Sequence, residues 1–194
     1  MTQKMALYIA LLLLGTHTAY SQTAEEKLSE IQKVWQTSKE GFLQYRKTVT
    51  MAGISRLDIY KRAKVYYLTH QYQSLDEKAA GPVILLGGAG TFKEVHASEN
   101  NGIKTSVDAT YYLHMGVEDG KAELVITCIQ YRFRIGSGSD SAYDELLIST
   151  LYPVNPQAPK SETIMEAFYG TTRAASARLD ELGEILRKEL SGTK

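Results

Sequence analysis

The sequence predicts an α+β fold in which helices pack on one face of an antiparallel sheet. Three observations point to it. Residues 104–117 alternate strictly, with Val107, Ala109, Tyr111, Leu113, Met115 and Val117 on one side. Asp119-Gly120 then turns the chain into a second alternating run, "AELVITCIQYRFRI", which is the pattern of a tight hairpin. Residues 161–190 carry one apolar seam through Ile164, Phe168, Thr172, Ala175, Leu179, Leu182, Leu186 and Leu190, the mark of a long core-facing helix.

The first 21 residues read as a leader rather than as part of the fold. Lys4 gives a positive start, "MALYIALLLL" is a ten-residue apolar run, and Ala19 and Ser21 are small residues at signal-peptidase spacing. A membrane span needs about 20 apolar residues, so the run predicts a cleaved signal peptide, with Gln22 as the new N-terminus. Cys128 is the only cysteine, so no lipid can attach at the cut and no internal disulfide can form. The expectation is an exported protein, periplasmic or secreted and not a lipoprotein, without stable membrane insertion once the signal is removed. Residues 22–194, 173 in number, fit one α+β domain with a core of its own. They carry 21 Lys and Arg against 22 Asp and Glu, a balance that argues against a nucleic-acid partner.

In chain order, "TAEEKLSEIQKVWQTSK" opens with a capping box between Thr23 and Glu26, and Leu28, Ile31, Val34 and Trp35 form a helical stripe before Gly41. Residues 42–51 alternate as a strand, with Leu43, Tyr45, Val49 and Met51 on one side and Lys47 as the exception. Ser55 then caps a helix whose core face holds Ile59, Tyr60, Ala63, Tyr66, Tyr67 and His70. "PVILLGGAGTFKE" is read as a strand over 82–95 with glycines inside it. A dinucleotide loop would need G-x-G-x-x-G, but Lys93 stands at its third glycine position, and no helical stripe follows to supply an anion-binding terminus. Glycine in a strand instead permits a bulge, a sharp twist or close approach of a helix.

The two-residue turn at Asp119-Gly120 fixes the hairpin register. Val117 faces Ala122, Met115 faces Leu124, Leu113 faces Ile126 and Tyr111 faces Cys128, which makes the core side. On the other side His114 meets Val125, Tyr112 meets Thr127, Thr110 meets Ile129 and Asp108 meets Tyr131. Residues 136–160 hold three of the four prolines and read as an irregular connection with at most one helical turn at 143–148. Thr163 and Glu166 predict a second capping box at the start of the long helix, in which Gly170 and Gly183 each cost about 1 kcal/mol relative to Ala.

The run "SRLDIYKRAKVYY", then "GPVILLGGAG", then "ATYYLHMGVEDGKAELVITCIQYRF" resembles a family of exported bacterial proteins built on the domain of unknown function 4468. The resemblance covers 42–133, and the segment "HQYQSLDEKAAGP" departs from its pattern. It implies a fold similar to that of the TATA-box-binding protein (TBP-like), with a curved antiparallel sheet and helices on one side. It also implies export and brings no catalytic residues.

The chain shows no motif of an enzyme and none that implies a cofactor. His70, His96 and His114 lack metal-ligand spacing, and His70 reads as a packed or capping residue. Cys128 falls on the core side, where a thiol acts as a small hydrophobe. No G-x-S-x-G elbow is present. Tyrosines are abundant, 13 against four Phe and one Trp, and tyrosine suits half-wet contact surfaces. The candidate partner-binding face is therefore the second side of the hairpin, at Thr110, Tyr112, His114, Val125, Ile129 and Tyr131, unless the first helix or the Pro-rich connection covers it. The reading is a non-catalytic binding module for a protein or glycan. The alternative is a carrier of an apolar small molecule in a cavity between sheet and long helix, widened by the glycines at 87, 88 and 90.

Overall fold

The computed structural model describes residues 23–70, 72–73, 75–136, 142–155, 157 and 161–188. The predicted signal peptide and its cleavage point lie outside them, as does Leu190. The chain runs α1 (Ala24–Val34), β1 (Trp35–Thr37), β2 (Leu43–Thr50), α2 (Arg56–Thr69), β3 (Asp76–Ala80) and β4 (Val83–Asn100). It continues through β5 (Ile103–Glu118), β6 (Lys121–Ile135), β7 (Ala142–Leu147), α3 (Ile148–Leu151) and α4 (Ser161–Arg187). All strands form one curved antiparallel sheet in the order β1-β2-β6-β5-β4-β3, with β7 also on β6.

Local chemistry sets the helices. Glu26 N–H donates to Thr23 Oγ1 at 3.2 Å and Thr23 N–H to Glu26 Oε2 at 2.9 Å, so the first capping box is formed. The helix stops at Val34, because Trp35 to Thr37 leave it to pair with β2. The Trp35 indole stays buried by donating to Thr172 Oγ1 of α4 at 2.8 Å. Ser55 caps α2 by accepting from Asp58 N–H. The start of α2 is tied to the β5–β6 turn, where Arg56 N–H donates to Asp119 Oδ1 at 2.6 Å.

The second capping box does not form. Residue 163 lies inside α4, which begins at Ser161, and Glu166 instead pairs with Lys27 of α1 at 2.6 Å. The apolar seam of α4 holds, with Phe168, Thr172, Ala175, Leu179, Leu182 and Leu186 all buried. Lys47, the odd residue on the core side of β2, pairs with Asp180 of this helix.

The hairpin register matches the sequence pattern from Glu118–Lys121 to Tyr111–Cys128 and then shifts. Thr110 pairs with Gln130 and Ala109 with Tyr131, leaving Ile129 as an extra residue. A single inserted residue reverses which side each later residue faces. Tyr131 therefore lies in the core, not on the second face: it is fully buried, edge-on to Phe168 at 5.4 Å, with its hydroxyl 3.1 Å from Thr171 Oγ1. Phe133 follows it inward.

A second irregularity interrupts β4, where Phe92 pairs with Ala109 and His96 with Val107. Glu94 takes a positive φ of 49°, and its N–H donates to Asp108 Oδ1 at 2.9 Å. Gly170 of α4 sits against this bulge so closely that a Cβ there would lie 1.8 Å from the Val95 carbonyl oxygen. The glycine that weakens α4 by propensity is what admits the strand.

The connection over 136–160 is not irregular throughout. β2 pairs with β6 only from Lys121 to Cys128, which leaves the β6 edge unpaired beyond that point. Residues 142–147 fill it as β7, and a short helix follows at Ile148. The segment that departs from the family pattern holds β3, which closes the far edge against β4.

Candidate functional site

The buried sides of α2 and α4 lie against Leu113, Ile126 and Tyr131, so the other side of the sheet is the face the sequence singles out. Its centre is built across five strands. On β4 the small Gly87 and Ala89 stand opposite His114 and Tyr112 of β5. Tyr112 lies across the space that Gly87 leaves, and a Cβ on Gly87 would meet the ring at 2.6 Å. The Tyr112 hydroxyl donates to Asp76 of β3, and its ring lies 4.4 Å from that of His114. Toward β2, Gln44 donates to Thr127 at 3.3 Å, and Arg46 bridges Gln44 and Glu123 at 2.5 and 2.8 Å.

Five of the six sequence-selected residues share this face. Thr110 is half-buried and donates to the Gln130 carbonyl; Ile129, pushed out by the bulge, is 39% exposed. Val125, between His114 and Arg46 in register, is buried and offers a partner little. Tyr131 is absent from the face for the reason given above. Burial lowers the His114 pKa, Arg46 adds to the shift and Asp76 opposes it, so the imidazole leans to its neutral form.

A tyrosine cluster on the helical side is the feature that residue-by-residue reading of the sequence does not assemble. Tyr66 and Tyr67 of α2, Tyr72 after it and Tyr111 of β5 meet within 6.3 Å of one another in successive ring pairs. Gly90 makes room, since a Cβ there would stand 2.6 Å from the Tyr111 ring. The Tyr111 hydroxyl donates to Tyr72 at 3.3 Å, Tyr67 to the Leu113 carbonyl at 3.0 Å, and Arg178 of α4 to the Tyr66 hydroxyl at 3.0 Å. His70 caps α2 as the sequence suggests, its ring stacked on Tyr66 at 3.9 Å. Burial pushes Tyr66 up to about 12 and raises Tyr67, Tyr72 and Tyr111 as well, so all four are neutral phenols at ordinary pH. Burial likewise raises the Cys128 thiol. One sequence signal for the cluster exists: Arg178 stands between Ala175 and Leu182 on the apolar seam, where a charge needs a reason.

Between sheet and long helix, Phe133, Ile135, Leu146 and Ile164 line an apolar hollow of about 210 Å³. Ligand pockets are usually about 300–1,000 Å³. Among the described residues no group of three or more His, Cys, Asp or Glu side chains could hold a metal ion, and no helix is long and apolar enough to cross a membrane.

No family model matches the sequence, and no curated protein matches it. Among solved structures, a DUF4468 family protein from Bacteroides ovatus ATCC 8483 superposes with a TM-score of 0.51 at 11% identity. The match covers 80% of this chain and 92% of that one. The chain shares the DUF4468 fold. A TBP-like protein from Parabacteroides distasonis ATCC 8503 matches with a TM-score of 0.49 at 11% identity, over 76% of this chain and 96% of that one. The architecture implied by the resemblance in 42–133 is the one observed, with β3 inside that segment closing one edge of the sheet on β4, and with β7, beyond it, pairing with the part of β6 that β2 leaves.

Proposed function

We propose that the protein is an exported, non-catalytic binding module that presents the non-helical face of its sheet to a protein partner. The observation that supports this is the pre-set pair of Tyr112 and His114, with Arg46 across Val125 from His114 in register and the exposed Ile129 farther along β6. Tyr and Arg are enriched at the centres of protein interfaces, whereas Lys and Glu are depleted there. A ring already held over Gly87 and fixed to Asp76 loses little freedom on binding. Neutral phenols and a buried thiol supply no obvious base or nucleophile, which favours binding over catalysis. The carrier reading has less support, because the hollow under α4 is smaller than a usual ligand pocket.

The test is capture from an envelope extract with the mature chain, comparing wild type with a Tyr112→Ser, His114→Ser double variant. Proteins retained by wild type and lost by a folded variant support the reading. Identical retention overturns it, and retention of polysaccharide alone replaces the protein partner with a glycan.

A further inference from the structure

A cleft lies on the helical side, separate from the face just described. It has a volume of about 260 Å³ and lies between the end of α2, β4 and α4. Its polar wall is formed by His70, Tyr72, Gln73, Lys93, Tyr111 and Arg178, and among the described residues no carboxylate lines it. We propose that this cleft binds a small oxyanion, a carboxylate or a phosphate, on the guanidinium of Arg178.

The argument begins with the cost of placing Arg178 where it is. The side chain stands on the seam of α4 and is only 26% exposed. A guanidinium withdrawn from water needs its charge and its five N–H donors answered. The protein answers them in part. Nη1 donates to the Tyr66 hydroxyl, a neutral acceptor, at 3.0 Å. The nearest carboxylate, Glu181 Oε2, stands 3.8 Å from the same Nη1, too far for a hydrogen bond. Among the described residues, Nε and Nη2 have no partner. Donors in a planar fork beside an open cleft match the two oxygens of a carboxylate or phosphate.

The rest of the wall fits the same ligand. Lys93 of β4 also lines the cleft; its ammonium is held at 2.9 Å by Asp108 and is mostly exposed. His70 also lines the cleft, with Nε2 at 3.3 Å from Glu181 Oε1 and Nδ1 at 2.9 Å from the Tyr66 carbonyl oxygen. The Tyr72 and Tyr111 hydroxyls, linked at 3.3 Å, add neutral polar contacts. An anion in the cleft competes with Glu181, 3.8 Å from Arg178 and 3.3 Å from His70, and with Asp108 at Lys93; the Arg178–Glu181 contact is the weakest of these. The small volume restricts the ligand to a few heavy atoms around the charged group.

The experiment titrates the mature protein with sodium phosphate and, separately, with sodium acetate, each against sodium chloride at equal ionic strength. Binding is followed by the Arg Nε–H resonances in ¹⁵N NMR and by Tm. The expected result is a saturable shift of the Arg178 resonance and a rise in Tm with at least one of the two anions. Arg178→Lys keeps the charge and removes the fork, and should weaken binding about tenfold or more, close to 1.4 kcal/mol. Lys93→Gln, at an exposed site, should fold normally and weaken it less. A response to phosphate alone or acetate alone assigns the ligand class. The absence of saturable change with both anions, or equal affinity in wild type and Arg178→Lys, overturns the proposal. If Arg178→Lys fails to fold, undiminished binding in Lys93→Gln together with an unmoved Arg178 resonance does so.

Discussion

Tyr112 of β5 lies flat across Gly87 of β4, in space that any side chain at 87 would fill. Gly90, on the other face of the same strand, holds Tyr111 in the same way. The glycine-rich run thus serves two tyrosine rings, one on each side of the sheet.

These two glycines respond differently to substitution. Gly87→Ala displaces a ring on a solvated face, which can swing away, so stability falls little while Tyr112 loses its bond to Asp76. Gly90→Ala meets Tyr111, which is 3% exposed and stacked on Phe92 at 4.1 Å. Overpacking there costs about 1–3 kcal/mol. Urea unfolding of the two variants side by side checks the order, and equal midpoints would refute it.

Gly170 reverses the usual rule for helices. Replacing an interior helical Gly with Ala ordinarily gains about 1 kcal/mol. Here the added methyl would stand 1.8 Å from the Val95 oxygen, a backbone atom in a bulge anchored by Asp108. Gly170→Ala is expected to lower Tm, and a higher Tm would show that α4 does not sit as described.

Tyr131 and Tyr112 separate core from face. Tyr131→Ser removes a fully buried ring and is expected to cost about 3–5 kcal/mol, whereas Tyr131→Phe loses only the bond to Thr171, about 1 kcal/mol. Tyr112→Ser should leave the denaturation midpoint near that of wild type. Circular dichroism during urea titration distinguishes the three.

Stability should fall in mild acid partly through His114. Its folded pKa lies below the unfolded value of about 6.5, so the unfolded chain takes up the proton more readily. The contribution is present above the unfolded value and is lost as pH drops through the folded one. His114→Asn should therefore flatten the decline in urea midpoint between pH 7.5 and pH 5, and an unchanged slope would rule this group out. Asp108 acts lower on the scale. Burial raises its carboxyl, but the Glu94 N–H, Lys93 and Arg134 outweigh that and hold it below the usual range. Its contribution is lost only as pH falls through that depressed value.

Export is checked directly. The chain expressed with its leader should be recovered from the periplasm or medium beginning at Gln22. An N-terminus at Met1 would show that the leader is retained.

Much of the fold was legible because it is local. The hairpin around Asp119-Gly120, the caps at Thr23 and Ser55 and the seam of α4 are each set by neighbours in sequence. The bulge at Ile129 was not, since neither a glycine nor a proline marks it, and it moved one of the two tyrosines on which the face was drawn. β7 was missed because "AYDELL" lacks clean alternation; it pairs where β2 stops short. The Arg178 cleft was missed because α2, β4, β5 and α4 meet only in three dimensions.

β2 and β7 run in one direction along one side of β6, joined in line where Ile129 goes unpaired. That side of the sheet is spliced from two lengths of chain distant in sequence, and the splice falls where β6 changes phase. Each length is indexed to its own half of β6. A slip of β7 would therefore stop at the splice and leave the frame of β2 untouched.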